Sequence, residues 1–433
     1  MLPLLALLAL QSPPTAPVQR IEGLPPDLES LGYAVAVVRD PEQRKQVAFA
    51  ISAPRESPAG PVGMDHGRVF LIGREHRPQV RVLDGRDGFG FGLDWLGDID
   101  GDSWPDFVSG QFYNGVVAVS GADGHRLWST EGSSKLGKRG TAIADIDCDR
   151  VRDLVTIEPT ELPLRRDGTP GPAQQLRAWS GATGFVIAEL EVGGRGFTAG
   201  PVDVGDVDGD LRADLAFLSE EALGGGRVAV TLDVVRAADF AEVLRLPIGD
   251  AGGPTGWPEF VDGDAKLGAL GDIDGDGAFE VVIGLVERDS PLRSARGRVH
   301  AFDVRRRRIL WTHLCLVDDE RMSCVAAGGS DIDGDGAPDV LVREIRPHFM
   351  DAELVGRLAV LSGRSGELIR AHLGPSMWAA RFPHCAEFVG DMDDDGFDEY
   401  LTTETCGAYD VAGAREKVRV FSGKTGAELM RFP

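Results

Sequence analysis

Six times along this 433-residue chain an aspartate-rich nonapeptide is followed at once by a short apolar run. The copies are Asp98-Ile-Asp-Gly-Asp-Ser-Trp-Pro-Asp106, Asp145-Ile-Asp-Cys-Asp-Arg-Val-Arg-Asp153 and Asp206-Val-Asp-Gly-Asp-Leu-Arg-Ala-Asp214. They continue as Asp272-Ile-Asp-Gly-Asp-Gly-Ala-Phe-Glu280, Asp331-Ile-Asp-Gly-Asp-Gly-Ala-Pro-Asp339 and Asp391-Met-Asp-Asp-Asp-Gly-Phe-Asp-Glu399. Successive copies start 47, 61, 66, 59 and 60 residues apart. A self-similar period of that size makes each copy one structural unit of a larger array.

A second pattern lies downstream of most loops: an alternating strand, a Ser-Gly-x-x-Gly turn, then another strand. It reads Val117-Ala-Val-Ser-Gly-Ala-Asp-Gly124, Leu176-Arg-Ala-Trp-Ser-Gly-Ala-Thr-Gly184, Leu358-Ala-Val-Leu-Ser-Gly-Arg-Ser-Gly366 and Val418-Arg-Val-Phe-Ser-Gly-Lys-Thr-Gly426. Glycine supplies the positive φ that tight hairpin turns require. Each unit is therefore strand, Asp loop, strand, variable loop, strand, glycine turn, strand, which is one four-stranded antiparallel propeller blade. Residues 32–38, 46–52 and 68–73 carry the same strands without an Asp loop and form a seventh, divergent unit. The expected fold is all-β, a seven-bladed β-propeller over residues 18–433, with blades near 25–87, 88–133, 134–192, 193–248, 249–316, 317–376 and 377–433. Val18–Ile21 resembles a fourth strand that the last unit does not need, so it either pairs at an edge or belongs to the leader.

Composition agrees with many short strands: 57 Gly and 26 Pro against 7% aromatic residues disfavour a helical bundle. With 69 acidic against 45 basic residues the net charge is −24, which repels nucleic acid and anionic lipid. Residues 1–10 form an apolar run too short to span a bilayer, followed by a Pro-rich stretch to residue 17. This suits the core of a secretion signal, although a positively charged start is missing. The expectation is a secreted, monomeric protein without membrane insertion. Cys315 and Cys324, and Cys385 and Cys406, form two close pairs, consistent with two disulfides or with four buried thiols; Cys148 is left over.

Carboxylates at alternate positions of one turn repel one another unless a cation joins them. Calcium takes six to eight oxygens, and an Asp-x-Asp-x-Asp turn offers carboxylates at positions 1, 3 and 5, a backbone carbonyl at 7 and an acid at 9. The expected calcium ligands, up to six ions in all, are Asp98, Asp100, Asp102, Trp104 and Asp106; Asp145, Asp147, Asp149, Val151 and Asp153; and Asp206, Asp208, Asp210, Arg212 and Asp214. The later loops supply Asp272, Asp274, Asp276, Ala278 and Glu280; Asp331, Asp333, Asp335, Ala337 and Asp339; and Asp391, Asp393, Asp395, Phe397 and Glu399. All six loops keep the four acids, 24 carboxylates in total, equal to the net charge excess. An EF-hand would need a glutamate at position 12, where Ser109, Thr156, Phe217, Ile283, Val342 and Thr402 stand instead. With Cys148 and Arg150 at positions that are glycine in the best copies, the loop at Asp145 is expected to bind weakest.

These loops, with Gly32-Tyr-Ala-Val-Ala-Val37 and Ser52-Ala53-Pro54 in the first unit, resemble the FG-GAP or VCBS-type repeats that build the propeller heads of integrin α chains. The resemblance covers residues 32–433 and implies seven blades with calcium between strands 1 and 2 on one face. It also implies partner binding on the opposite face, here residues 54–67, 158–174, 288–297, 343–356, 249–266 and 374–384. Leg domains and a membrane anchor like an integrin's are not expected, so adhesion with a dimeric partner is not expected to carry over.

Nothing else in the sequence announces catalysis. The eight histidines have no metal-ligand or triad spacing, and no phosphate loop, dinucleotide fingerprint or nucleophile elbow occurs. Trp257 and Trp378, with Arg293, Arg296, His348 and Arg381, are ligand-face candidates, and Trp128 and Trp311 occupy matching structural places. The favoured function is a calcium-binding scaffold for a protein or glycan. The alternatives are a secreted calcium-dependent carbohydrate-active enzyme resembling polysaccharide lyases, or a lectin; a quinoprotein-like propeller ranks below both.

Overall fold

The computed structural model describes residues 19–20, 31–39, 47–54, 66–73, 80–111, 115–130, 140–159, 174–192, 196–224, 227–251, 267–287, 296–318, 326–344, 356–374, 380–381, 385–406 and 417–432. Among them there is no helix, and the strands assemble into seven antiparallel four-stranded blades. Blade 1 runs Val35–Val37, Phe49–Ala53, His66–Ile72 and Val80–Arg86, and blade 2 runs Gly92–Gly97, Asp106–Gly110, Val116–Val119 and Arg126–Thr130. Blades 3 to 6 open on Gly140–Ala142, Gly196–Asp203, Leu267–Gly271 and Ala326–Gly328. Blade 7 comprises Ala386–Gly390, Glu399–Cys406, Lys417–Phe421 and Glu428–Phe432. The fourth strands of blades 4 and 5 end at Ala251 and Asp318, slightly past the limits expected from the repeat spacing.

The first strand of each blade contacts the first strand of the next, and blade 7 returns to blade 1, so seven inner strands close a ring. Each junction carries its own apolar cluster, seven in all among the described residues. The second strands show why. Leu215 and Phe217 pack toward blade 3 while Ala216 and Leu218 pack toward blade 5. Likewise Val281 and Ile283 face blade 4 and Val282 faces blade 6. A strand buried on both sides must be apolar at every position, and its alternating side chains serve two interfaces. This is the structural origin of the apolar runs after each Asp loop.

Blade 7 meets blade 1 through Val389, Met392, Leu401 and Phe432 against Leu31, Phe49 and Ile51. Phe49 and Phe432 meet edge to face at 6.2 Å. The Thr403 hydroxyl donates to the Gly32 carbonyl at 2.8 Å. The ambiguous N-terminal piece pairs at an edge: Gln19–Arg20 lies parallel to Met430–Arg431 on the outermost strand of blade 7. Ala380–Arg381 pairs with Thr405 and Cys406, further along the second strand of the same sheet.

At the junction of blades 6 and 7, His372 lies 4.0 Å from Phe421 between ring centroids, and its Nε2 sits 2.6 Å from the Tyr400 hydroxyl. Burial, with Arg370 and Arg419 adding to it, pushes the imidazole down to about 3. The folded value lies below the ordinary 6.5, so the stability linked to neutral His372 is complete above pH 6.5 and is lost as pH falls toward 3. Urea denaturation from pH 7 to 4 should lose about 1 kcal/mol per pH unit more in the wild type than in His372→Gln. Parallel slopes would show that the imidazole is not held neutral.

Candidate metal centre

In all six Asp loops positions 4 and 6 have positive φ: Gly101 and Ser103, Cys148 and Arg150, Gly209 and Leu211, Gly275 and Gly277, Gly334 and Gly336, Asp394 and Gly396. Left-handed backbone here lets the position 1 carboxylate collect amide hydrogens. The position 6 N–H donates to its Oδ2 in every copy, at 2.8 Å from Arg150 to Asp145 and 2.9 Å from Gly277 to Asp272, for example. The position 7 N–H donates to the position 5 carboxylate, as from Trp104 to Asp102 at 2.8 Å. Only the loop at Asp145 places side chains other than glycine, asparagine or aspartate at both left-handed positions without any glycine, each costing about 1 kcal/mol or more. The residue types that led to the expectation of weak binding there are thus also sites of backbone strain.

The position 9 acid plays a different part. It is buried in every copy, and its second oxygen accepts the N–H of position 2: 2.6 Å from Ile99 to Asp106 and 2.8 Å from Ile332 to Asp339. Position 2 itself is an apolar anchor, with Ile146, Ile332 and Met392 all buried in blade interfaces. Burial pushes Asp106, Asp153 and Asp214 up to about 6, Glu280 and Asp339 to about 7 and Glu399 to about 8, against the backbone donors that lower them. These carboxyl groups sit in a poorly solvated place that disfavours a bare anion and favours either a proton or a cation.

What the motifs did not reveal separately is that the glycine turn belongs to the same site. Strands 1 and 3 of a blade run the same way, so the loop joining strands 1 and 2 and the turn joining strands 3 and 4 emerge on one face. Gly121, Gly181 and Gly363 donate their N–H to the free oxygen of Asp106, Asp153 and Asp339 at 3.1, 2.9 and 3.1 Å. Ser120 and Ser362 donate to Asp102 and Asp335 of position 5 at 3.3 and 3.1 Å. The glycine is obligatory, because a Cβ at Gly363 would stand 1.7 Å from the Pro338 carbonyl oxygen. Blade 4 has Ala237 at this place, and there the Asp214 Oδ1 has no hydrogen-bond partner. In blade 7 the longer Glu399 leaves its Oε1 without one.

The acids converge as well. One oxygen each of Asp98, Asp100 and Asp106 lies within 4.8 Å of the others, as do those of Asp145, Asp147 and Asp153. The same holds for Asp206, Asp208 and Asp210, and for Asp272, Asp274 and Asp276. The donor set is hard oxygen throughout. Completely buried side chains with unsatisfied carboxylate oxygens at Asp214 and Glu399 are a specific fit to a hard divalent ion.

The other expected site residues are less connected. Trp257, Arg293, His348 and Trp378 lie outside the described residues, and Arg296 and Arg381 are placed in strands with only their backbones described. Cys324 is also outside; Cys315 is buried in blade 5, Cys385 opens blade 7, and Cys406 is described in its backbone only, so both expected bridges fall beyond the described side chains. Next to the opposite face, Glu158 pairs with Arg177 at 3.1 Å and Glu344 with the Arg357 Nε at 2.8 Å, the latter pair buried.

No protein-family model matches this sequence, and no curated protein is similar to it. Among solved structures the fold is similar to Sqt1 of Saccharomyces cerevisiae, at TM-score 0.47 and 9% identity over 96% of this chain and 98% of that one. It is also similar to BBS1N in its complex with ARL6DN, at TM-score 0.40 and 11% identity over 84% and 87% of the chains. A third is the quinohemoprotein alcohol dehydrogenase of Comamonas testosteroni, at TM-score 0.41 and 10% identity over 88% and 72%.

Proposed function

We propose that this chain is an exported, calcium-stabilised propeller of the FG-GAP type that serves as a binding scaffold for a protein or glycan partner. A ring of seven blades is a scaffold suited to binding, and among the described residues no helix is long and apolar enough to cross a membrane. The observation that carries the calcium assignment is the convergence of carboxylates: triads drawn from positions 1, 3, 5 and 9 lie close together around a buried position 9 acid, with oxygens of Asp214 and Glu399 left without partners. Bound calcium would supply charge neutralisation there, and the chain's part is to hold the acids in place through the backbone donors of positions 4, 6 and 7. Blade 1 lacks such a loop, and partner binding is assigned to the loops of the opposite face, which vary most in length. Elemental analysis of protein dialysed against millimolar calcium, then briefly desalted, should return several calcium ions per chain and little magnesium. A metal-free result would overturn the assignment.

A further inference from the structure

The loop whose glycines at positions 4 and 6 mark it as one of the best calcium turns is also the one that carries its own cation. Blade 5 departs from the Ser-Gly-x-x-Gly turn: its third strand ends at Asp303 and continues Val304, Arg305, Arg306, Arg307, Arg308. The turn keeps its shape, since Arg307 takes the left-handed φ of 58° that glycine provides in blades 2, 3, 6 and 7. Aligned on that turn, Arg306 replaces Asp123, Thr183, Asp239, Ser365 and Thr425.

The Arg306 guanidinium contacts Asp274 at position 3, donates to Asp303 at 3.3 Å and lies 3.1 Å from the Oδ2 of Asp276 at position 5, close enough for ion pairing although that oxygen receives no hydrogen bond. Asp303 is completely buried and also meets Arg308 at 3.2 Å. It stands where the other turns have serine or, in blade 4, arginine, so blade 5 adds an acid and a base together. Arg305 donates to the carbonyls of Asp276 and of Asp206 in blade 4, holding the two loops side by side. In the other loops the contacts are looser: Arg364 and Lys424 lie 3.6 and 3.7 Å from the position 5 carboxylates Asp335 and Asp395, and the His125 imidazole lies 3.8 Å from the position 3 carboxylate Asp100, but among the described residues no guanidinium there bridges positions 3 and 5.

We infer that the Asp272 loop is neutralised by Arg306 in place of a divalent ion, so that it is an internal ion-pair lock within a set of calcium loops. A guanidinium bridging positions 3 and 5 occupies the space between the same oxygens a metal would join, and two cations cannot share it. The inference rests on the calcium reading of the other loops. Native mass spectrometry of the full chain at saturating calcium, with Arg306→Ala, Arg306→Gln and Asp274→Asn, tests it. Both arginine variants should bind one more calcium ion per chain than wild type. Asp274→Asn should leave the wild-type count unchanged and remove the extra ion from Arg306→Ala. Equal, non-zero counts in wild type and both arginine variants, or a wild-type count that falls by one with Asp274→Asn, would overturn the lock and leave the calcium reading standing. No ions on any variant would overturn both.

Discussion

Removing divalent ions with excess chelator should lower the midpoint of thermal unfolding by roughly 10 °C, and calcium but not magnesium should restore it. An ion that binds only the native state at ten times its Kd stabilises by about 1.4 kcal/mol per site, so five loops contribute about 7 kcal/mol, spread over a large unfolding entropy. Carboxylates of positions 1, 3 and 5, or 1, 3 and 9, lie within 4.8 Å of one another in the loops at Asp98, Asp145, Asp206 and Asp272, and the position 9 acids are already pushed up to between about 6 and 8 by burial. In metal-free protein these folded values exceed the unfolded ones, so the native state binds more protons, and its stability declines as pH rises from about 4 to 8. Calcium replaces those protons. The chelator effect should therefore be largest near pH 8 and shrink toward pH 5, as differential scanning calorimetry at the two values would show. An unchanged midpoint at pH 8 would eliminate structural calcium.

Trp311→Ala should cost about 3–5 kcal/mol in the presence of calcium, the range for deleting a buried aromatic. Trp311 is 8% exposed in the fourth strand of blade 5, where its indole N–H donates to the Gly363 carbonyl of blade 6 at 2.7 Å. Its ring lies so close to the next turn that a Cβ on Gly366 would stand 2.5 Å from it. Trp128 repeats the contact between blades 2 and 3, donating to Gly181 at 2.7 Å. At the same register position Arg81 reaches the Ala122 carbonyl and Arg370 the Ser422 carbonyl, so four junctions share a clasp from an outer strand to the next blade's turn. Gly363 ties that clasp to the loop, because its N–H is the donor to Asp339. Trp311→Phe keeps most of the buried area but orphans the carbonyl, and should cost about 1–2 kcal/mol. Phe185→Ala, at a side chain 76% exposed, should change stability by less than about 0.5 kcal/mol. Urea midpoints for the three variants test this ordering. A Trp311→Ala shift no larger than that of Phe185→Ala would mean that the blades are held by their cores alone.

The glycan-directed readings centre on Trp257 and Trp378, and both lie outside the described residues. Trp128 and Trp311, the pair that suggested a quinoprotein-like ring, serve as clasps between blades.

Period, strand alternation and turn residues are properties of neighbours along the chain, and they were enough to read the seven blades, the six Asp loops and the odd residues Cys148 and Arg150 at positions 4 and 6, whose left-handed backbone the structure then showed. Ring closure was not legible, because Val18–Ile21 and Glu428–Phe432 are equivalent as strands. Only packing decided that Gln19–Arg20, within the first, lies parallel on the edge of the second. The glycine turn, too, reads as a local hairpin until sheet geometry brings Gly363 to Asp339 and Ser362 to Asp335, 24 and 27 residues away. The same holds for Arg306, one basic residue in a run of four until the third strand of blade 5 delivers it to Asp274. Local chemistry specifies which element forms; which charges meet is set by strand register and the stacking of blades, a long-range consequence of burying both faces of every sheet.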